Sequence, residues 1–522
     1  MNQNETSSKQ EWLSLLAVIL YAALCLFLLP TFKEIIDPDD TAYLKIADRY
    51  VSGDWKTAIN GMWSPLNCWI GALFVGWTGI KGIMMFKYLN IGFGVICMLA
   101  VRSLLQKSGI SSRYHFLALL GLVPFCAYAT YHELAADWLQ CTVLMLYINL
   151  IFSKKYPEKF IYPVLCGILG GLAYYAKYYN FHFFWLHFIL ANIFWFYKQE
   201  DKRLLKRFWI WTATGLVLLV ACSIPWILLL HHKYGFYGLN YTGKFDLAWS
   251  LDQQVLSKHT KALLQPTLPG AASFLEDPIW HKHDPFVTPF TSWPLFRRQI
   301  AISMLAVSSF FEAAQQYSAL FVGVLAFYLF RFFKGGYKLG NFERSAVLIF
   351  LTMPSGYFLF HFEARFLWPI CLLGYILGLK LIEEFIWPMV KSPGLKWAVP
   401  VFFVLTFCVH PVFDLFNNIQ RDDEVTQWAK DTEQFHLQGS TFITNSNQNN
   451  LMRYAYLTKT SLSVYRVWDV ETNNLIDDIH KFKVNYYFEF YKDRPLLPCE
   501  ITSQMKEITG GKLPYVKIYQ LY

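Results

Sequence analysis

Three carboxylates lie close together near the start of the chain, in the stretch "IIDPDDTAYLKIADRYVSGDW" at residues 35–55. Asp37, Asp39 and Asp40 directly follow an apolar run at residues 12–30. A carboxylate within hydrogen-bond reach of an acceptor group can take its proton as a general base. Acidic residues beside a bilayer are, however, commonly just part of a solvated loop. The chemistry of this stretch therefore depends on the elements that position it.

The composition is typical of a membrane protein. Of the 522 residues, 55% are hydrophobic and 16% are charged, whereas a soluble globular protein carries roughly 25% charged residues. Apolar runs of about 18 or more residues, long enough to cross a hydrocarbon core, recur along most of the chain. The sequence therefore predicts a polytopic α-helical membrane protein whose first apolar run is a retained span. Because loop topology explains the formal charge of +9, we predict no nucleic-acid partner.

The loops between the apolar runs alternate in charge. The positive-inside rule places the basic loops in the cytoplasm; their cations are Arg102, Lys107, Arg113, Lys154, Lys155, Lys159, those of residues 198–207, Arg331, Lys334, Lys338, Arg344, Lys391 and Lys396. The alternate loops are then exoplasmic, and they include residues 31–65, 130–137, 176–180, 231–300 and 361–365. This alternation requires residues 66–80 to form a juxtamembrane or re-entrant helix, followed by a second span at 83–105. We expect about eleven spans, with the N-terminus inside and the C-terminus outside.

The last hundred or so residues differ in character from the rest. Segments with helical periodicity alternate with strand-like segments such as "STFITN", "LSVYRV", "VNYYFEFY" and "YVKIYQLY". This alternation predicts a small α/β domain with a partly parallel sheet. The expected organisation is a transmembrane catalytic domain at residues 1–417, with exoplasmic loops at 31–65 and 231–300, and an exoplasmic α/β domain at 418–522.

Ionisable residues near the exoplasmic ends of the spans are further candidates, because charged groups at membrane depth are costly. Asp137 opens a span, and Lys87 lies in the first turns of another. Lys177 and Arg365 each border an apolar segment. Each has a structural alternative: the helix dipole favours an acid at a helix start, a long cation can snorkel, and Glu363 could simply pair with Arg365. Together, however, these cations and carboxylates suit a phosphate leaving group and a carboxylate base.

Two histidine-containing segments have residue types that also bind metals. These are "HHKYG", with His231 and His232, and "WHKHDP", with His281, His283 and Asp284. Neither has a matched set of ligands elsewhere, so interfacial or solvated histidines are the favoured interpretation.

The order of these motifs resembles the GT-C glycosyltransferases, and among them the dolichyl-phosphate-mannose-protein mannosyltransferase-like and aminoarabinose-transferase-like enzymes. The first exoplasmic loop matches the family pattern at Asp39, Asp40, Tyr43, Ala47, Gly53, Asp54 and Trp55. Similar segments follow in "WSPLNCWI", "HELAADWL", "GLAYYAKYYN" and "EARFLWPICLLGYILG". The sequence departs from the family pattern at three places. Asp40 stands where the family usually has Glu, and Phe366 stands where it has Tyr. Ser64-Pro65 stands where the family usually has Lys-Pro-Pro. The resemblance covers about the first 390 residues.

The resemblance implies an inverting transfer of a sugar from a polyprenyl-phosphate donor to an acceptor nucleophile. Asp39 would be the general base with Asp40 as its partner, whereas Asp37 is expected to be a solvated acid. Asp137 would hold the acceptor or a bound cation. The expected donor-phosphate residues are Lys87, Lys177 and Arg365, and the expected substrate contacts are Tyr43, His132, Glu133 and Glu363. The resemblance requires no cofactor. The acidic residues would allow a divalent cation to bind.

The expected partners are the polyprenyl-phosphate sugar, a lipid, glycan or protein acceptor, and the bilayer. The predicted location is a bacterial inner membrane, with the active site and the C-terminus on the periplasmic side. A lipid-linked polysaccharide polymerase or ligase of the same fold stays open as an alternative. A secondary transporter is a weaker alternative, because it would have inverted repeats and charges near mid-bilayer, whereas the ionisable residues here lie near span ends.

Overall fold

Long helices dominate the structure, a computed structural model that describes residues 3–196, 202–251, 262–279, 287–334, 339–421, 423–465 and 472–522. The chain divides into two compact units. The membrane unit comprises Met1–Lys33, Phe86–Ile227 and Phe296–Asn417, and the loop unit comprises Glu34–Met85, Leu228–Leu295 and Asn418–Tyr522. The loop unit thus combines three segments that are far apart in the sequence. The predicted exoplasmic loops at 31–65 and 231–300 contribute most of its first two segments.

Six helices in the described part of the chain are long and apolar enough to cross a membrane: Glu11–Phe32, Gly82–Ser108, Ser112–His132, Leu205–Tyr234, Ala364–Met389 and Pro393–Asn417. A seventh span results if Trp293–Tyr317 and Ala319–Lys334, which meet at a bend of 119°, are counted as one. The predicted number was about eleven. The difference arises partly because Asp137–Ile151 and Ile161–Ala176, two of the expected spans, are apolar helices of only 15 and 16 residues. The polytopic helical membrane architecture is confirmed.

Within the membrane unit, hydrogen bonds of Asn90 and Trp138 fix the segment that carries Glu133 and Asp137. Asn90, in the helix Gly82–Ser108, donates from Nδ2 to the backbone carbonyls of Thr130 (3.2 Å) and Glu133 (2.9 Å). The indole Nε1 of Trp138 donates in turn to the carbonyl of Asn90 at 3.1 Å. A buried polar group without such a partner would be costly. These bonds therefore hold the turn before the helix Asp137–Ile151 against the helix Gly82–Ser108. The other helices described wholly in this unit are His115–His132, Asn180–Phe196, Asn341–Thr352 and Trp368–Leu381.

The first segment of the loop unit is a short helical hairpin. The helix Pro38–Val51 starts at the acidic stretch, and the helix Pro65–Thr78 occupies the position predicted for a juxtamembrane helix. The second helix ends at Gly79, whose φ of 70° is left-handed and therefore favours glycine. The remaining helices of the loop unit are Trp55–Ala58, Thr242–Leu251, Asp423–Thr432, Gln448–Thr458, Thr472–Phe482 and Cys499–Thr502.

The C-terminal residues form a five-stranded mixed sheet. Its strands are β2 (Thr441–Thr444), β3 (Ser461–Leu462), β5 (Tyr486–Phe490), β6 (Lys506–Glu507) and β7 (Val516–Gln520), in the order β3-β2-β5-β7-β6. The strand β2 is parallel to β3 and β5, whereas β5–β7 and β6–β7 are antiparallel. The prediction of a small α/β domain with a partly parallel sheet is confirmed.

The long loop after residue 230 is joined to this C-terminal sheet domain. Its strand β1 (Leu263–Leu264) pairs antiparallel with β4 (Val464–Tyr465). The carboxylate Oδ2 of Asp478 accepts from the backbone N–H groups of Ala262 (2.6 Å) and Leu263 (2.9 Å). The side chains of Ala262 and Leu263 are fully buried in the same hydrophobic cluster as Ile443, Leu475 and Tyr487. The loop and the C-terminal residues therefore share one core.

Candidate active site

In the loop unit, the acidic stretch forms the start of a helix. Asp37 is the N-cap of the helix Pro38–Val51, and its Oδ1 accepts from the backbone N–H of Asp39 at 3.2 Å. The carboxylate of Asp40 accepts from the backbone N–H of Asp37 at 2.7 Å, which completes a capping box. Asp37 is therefore a half-buried structural cap, and the expectation that it is only a solvated acid was wrong. The sequence pattern D-x-x-D could have revealed this cap.

The three carboxylates have different surroundings. Asp40 is buried, with 1% of its surface exposed, and Asp39 is half-buried in the first turn. Tyr43 lies one turn further along, buried, with its ring edge-on to Trp63 at 5.3 Å between ring centroids. The carboxylates of Asp37 and Asp40 are thus engaged in the helix cap, to which Asp39 contributes its backbone N–H. The assignment of Asp39 as the general base stays a prediction.

The loop unit also contains two buried acids, Glu276 and Asp277, that pair with two partly buried cations, Arg49 and Lys233; we call these four residues the loop cluster. Arg49 Nε donates to Glu276 at 2.7 Å, and Lys233 Nζ donates to Asp277 at 2.6 Å. Tyr234 donates its hydroxyl to the second oxygen of Asp277 at 2.9 Å. Burial raises the pKa of both Glu276 and Asp277, while the neighbouring cations oppose that shift. The Arg49–Glu276 pair connects the first loop to the long loop, and Lys233 does so by donating to the backbone carbonyls of Thr57 and Ile59.

In the membrane unit, five predicted site residues come together in one group, which we call the membrane cluster: Glu133, Asp137, Lys177, Glu363 and Arg365. Lys177 Nζ lies 2.5 Å from Asp137 Oδ1. Arg365 forms an ion pair with Glu133, and its Nε lies 2.5 Å from Glu363 and 3.6 Å from Asp137. The side chains of Glu133 and Asp137 are almost fully buried. Lys177 is therefore held by a carboxylate, and it is not a snorkelling lysine.

Short backbone elements present this cluster. Asp137 lies in the first turn of its helix, where the dipole favours an acid. Lys177 is the C-cap residue of the helix Ile161–Ala176, in an extended conformation that ends the helix. Arg365 lies in the 3₁₀ turn Ala364–Leu367, just before the helix Trp368–Leu381. Three separate helix ends thus converge on one charged group.

Aromatic rings line one side of the membrane cluster. Lys177 Nζ lies 3.8 Å from the ring centroid of Phe366 and 5.9 Å from that of Tyr357. Tyr357 stacks on Phe366 at 4.4 Å and on Tyr179 at 3.9 Å between centroids. The face of an aromatic ring attracts an ammonium group, and this attraction is stronger when the ammonium is desolvated. The sequence analysis predicted Lys177 and named Phe366; Tyr179 lies in the quoted segment "GLAYYAKYYN" but was not singled out, and no periodicity or motif indicated Tyr357.

Two other predicted residues lie in different surroundings. Lys87 is fully buried and donates to the backbone carbonyl of Phe32, with its ammonium 6.0 Å from the Tyr131 ring. The ring of His132 packs against Tyr128 (4.7 Å) and Trp368 (6.4 Å). Lys87 lies one helical turn before Asn90, whose amide holds the carbonyl of Glu133. The assignment of Lys87 to the donor phosphate stays a prediction.

The histidine-containing segments give no metal site in the described residues. His231 stacks on Tyr237 at 3.8 Å between ring centroids. His281, His283 and Asp284 lie outside the described residues.

Comparisons with known proteins were made by sequence and by structure. No family model and no curated protein matches the sequence. Among solved structures, an Archaeoglobus fulgidus oligosaccharyltransferase in complex with Zn and sulfate is similar at a TM-score of 0.52 and 10% identity, over 91% of this chain and 68% of that chain. ArnT from Cupriavidus metallidurans bound to undecaprenyl phosphate is similar at a TM-score of 0.47 and 13% identity, over 96% of this chain and 97% of that chain. At such low identity, the likeness to the oligosaccharyltransferase shows a shared fold.

Proposed function

We propose that this chain, which has the fold of the GT-C glycosyltransferases that its sequence resembles, moves a sugar from a polyprenyl-phosphate donor to a lipid, glycan or protein acceptor with inversion. The observation that carries the proposal is the membrane cluster, in which Lys177 and Arg365 are held at helix ends of a membrane protein beside Asp137. Cations in a poorly hydrated site stabilise the negative charge that develops on a departing phosphate.

On the donor side, the bond between the anomeric carbon and the phosphate oxygen breaks, and the polyprenyl phosphate leaves with the bonding electrons. Lys177 and Arg365 would stabilise this anion. Both already pair with carboxylates, namely Asp137 and Glu133. The donor phosphate would therefore share these two cations with the carboxylates of the cluster. The rings of Phe366 and Tyr357 lie 3.8 and 5.9 Å from the Lys177 ammonium and cover part of it, and a less hydrated ammonium would attract the phosphate more strongly.

On the acceptor side, a new bond forms between the acceptor atom and the anomeric carbon, and the acceptor loses a proton. Asp39 would take this proton, because Asp37 and Asp40 are engaged in the helix cap. A positioned general base contributes roughly 100- to 10,000-fold to a rate. Tyr43, His132 and Glu363 stay predicted substrate contacts.

The proposal is tested with the purified full-length protein and radiolabelled polyprenyl-phosphate sugars. We expect Asp39→Asn to lower kcat about 100- to 10,000-fold. The matched control is Asp493→Asn, which makes the same change at an exposed carboxylate of the C-terminal residues. Undiminished transfer by Asp39→Asn would show that the base is another residue. If the wild-type protein consumes no lipid-phosphate sugar, the proposed activity itself is wrong.

The same assay is run with and without EDTA. Carboxylate oxygens are the ligands that Mg²⁺ prefers, usually one or two of them together with substrate phosphates. Loss of transfer on chelation, restored by Mg²⁺, would add a divalent cation to the site. Transfer that is insensitive to EDTA would assign the phosphate to Lys177 and Arg365 without a metal.

A second candidate is transfer of a lipid-linked oligosaccharide, and the shared fold with an oligosaccharyltransferase favours it. The two activities differ in the size of the group that leaves the lipid. Parallel assays with a single-sugar polyprenyl phosphate and a lipid-linked oligosaccharide distinguish them. We place the site on the exoplasmic face, in a bacterial inner membrane on the periplasmic side, because the alternation of loop charge puts all of these segments outside.

A further inference from the structure

A helix of the C-terminal residues that packs against the helix Pro38–Val51 contains a buried arginine, Arg453. This helix is Gln448–Thr458, in the loop unit. Only 8% of the Arg453 surface is exposed. A buried arginine is rare unless an opposite charge accompanies it, because its guanidinium cannot be deprotonated in proteins. Its surroundings should therefore contain carboxylates.

The neighbouring contacts of the same helix show which face carries Arg453. Tyr456 lies three positions later, so it shares a helix face with Arg453. Its ring lies 5.7 Å from the ammonium of Lys45, in the helix Pro38–Val51. This face is thus directed toward the helix that begins with the acidic stretch. Burial lowers the pKa of Arg453, while the negative charges of Asp37 and Asp40 raise it.

We propose that Arg453 is a positioning residue: it holds the capping carboxylates Asp37 and Asp40, and thereby fixes the backbone that presents Asp39 to the acceptor. The proposal rests on the proposed function for the role of Asp39. The proposal assigns a role to the C-terminal domain, because that domain would contribute a charged residue to the start of the acidic helix.

The physical argument concerns the balance of charge at the helix start. Three carboxylates within four positions repel one another, and the positive end of one helix dipole offsets only part of that repulsion. A buried guanidinium adds a full positive charge and several N–H donors in a fixed plane. Without it, Asp40 would remain a buried carboxylate with less compensation. The helix start would then shift, and small displacements of a catalytic group are costly.

The other ties between the C-terminal residues and the loops make such positioning effective. Ser461 donates its hydroxyl to the carbonyl of Ala271 at 2.7 Å, and the backbone N–H of Leu462 donates to Ala272 at 2.9 Å. Together with the β1–β4 pair, these bonds anchor the sheet domain to the long loop. Arg453 therefore projects from an element that is fixed at several points.

The experiment compares Arg453→Met with Arg453→Lys in the full-length protein. We expect Arg453→Met to lower kcat about 10- to 100-fold with a smaller change in KM. Arg453→Lys should be less impaired than Arg453→Met, because it keeps the positive charge although it loses the planar set of donors. The matched control is Arg494→Met at an exposed arginine of the same domain, and it should transfer sugar as the wild type does.

A double-mutant cycle with Asp40→Asn tests the contact itself. If Arg453 acts through the capping carboxylates, the two substitutions will not be additive in kcat. Additive effects, or an Arg453→Lys variant as impaired as Arg453→Met, would overturn the proposal. The same cycle in thermal melting temperature needs no substrate. A protein that shows coupling in melting temperature but never transfers sugar would refute the proposed function, and it would leave the Arg453 contact standing.

Discussion

Each unit of the molecule contains a group of buried charges, and the two groups are built differently. In the loop cluster, two cations face two carboxylates, Arg49 with Glu276 and Lys233 with Asp277. In the membrane cluster, Lys177 and Arg365 face three carboxylates. Arg49 also lies 3.6 Å from Asp54, so each cluster has two cations that face two buried carboxylates and one more exposed carboxylate, Asp54 or Glu363.

The two clusters differ in the partners that their cations have beyond the ion pairs. Lys233 also donates to the backbone carbonyls of Thr57 (3.0 Å) and Ile59, and Arg49 donates to that of Pro269 (3.1 Å). The contacts described for Lys177 are with a carboxylate and aromatic rings. Bonds to backbone carbonyls fix the course of loops, whereas side-chain partners can rearrange when a ligand arrives. We infer that the loop cluster serves folding and that the membrane cluster serves chemistry.

The largest effect on stability is expected from breaking the loop cluster. Arg49→Met leaves the carboxylate of Glu276, only 2% exposed, without its cation. Removing one partner of a buried ion pair typically costs about 3 to 5 kcal/mol. We expect a loss of this size in the free energy of unfolding, measured by denaturant titration of the full-length protein in micelles. Arg494→Met, an exposed change of the same kind, should leave that free energy unchanged.

The same variant has a predictable pH dependence. Burial already raises the pKa of Glu276, and Arg49 lowers it, so the substitution should raise the folded-state pKa further above the unfolded value. The folded state then binds a proton that the unfolded state releases, and stability falls as the pH rises through that interval. The deficit of Arg49→Met should therefore be larger at about pH 8 than at about pH 5. A deficit that is independent of pH would mean that lost packing, rather than the uncompensated carboxylate, is responsible.

The next effect is on catalysis, in the membrane cluster. Lys177→Met removes a cation that would stabilise the departing phosphate, and we expect kcat to fall about 100- to 1,000-fold. Its effect on stability should be smaller than that of Arg49→Met, because Arg365 still lies 3.6 Å from Asp137. The measurements are single-turnover transfer and the melting temperature, with Lys159→Met in an exposed loop as the control. Equal losses of stability in Lys177→Met and Arg49→Met, with normal kcat, would remove the distinction between the clusters.

The sequence predicted much of this site because membrane helices constrain it. Asp137, Lys177 and Arg365 were identified because charge at a span end is costly and therefore informative. Their mutual contacts could not be predicted, since they depend on how three helix ends converge. Glu276 and Asp277 were missed altogether, because two acids in a long polar loop give no periodic signal before the loop is folded.

The fold shows the same limit. Apolar length identified the membrane helices, the β-branched runs "STFITN" and "LSVYRV" identified β2 and the region of β3 and β4, and the strand-like segments "VNYYFEFY" and "YVKIYQLY" identified β5 and β7. The strand β1, in the long loop, was not predicted, because a two-residue strand is defined by its partner β4 and not by its own sequence. The helix Gln448–Thr458 was also missed, since Asn and Gln at its start are typical of a loop. Arg453 therefore became visible only in the structure.

The smallest effect is expected at the rim of the membrane cluster. His361 Nε2 lies 2.9 Å from Glu363, but 67% of the His361 side chain is exposed. An exposed pair of this kind contributes at most about 1 kcal/mol, because water screens it. His361→Gln should therefore leave the melting temperature nearly unchanged, while Glu363→Gln, next to Arg365, should lower kcat measurably. If His361→Gln impaired transfer as strongly as Lys177→Met, residues at the exposed edge of the membrane cluster would also take part in the reaction. Burial would then not distinguish the functional residues of the cluster from their neighbours.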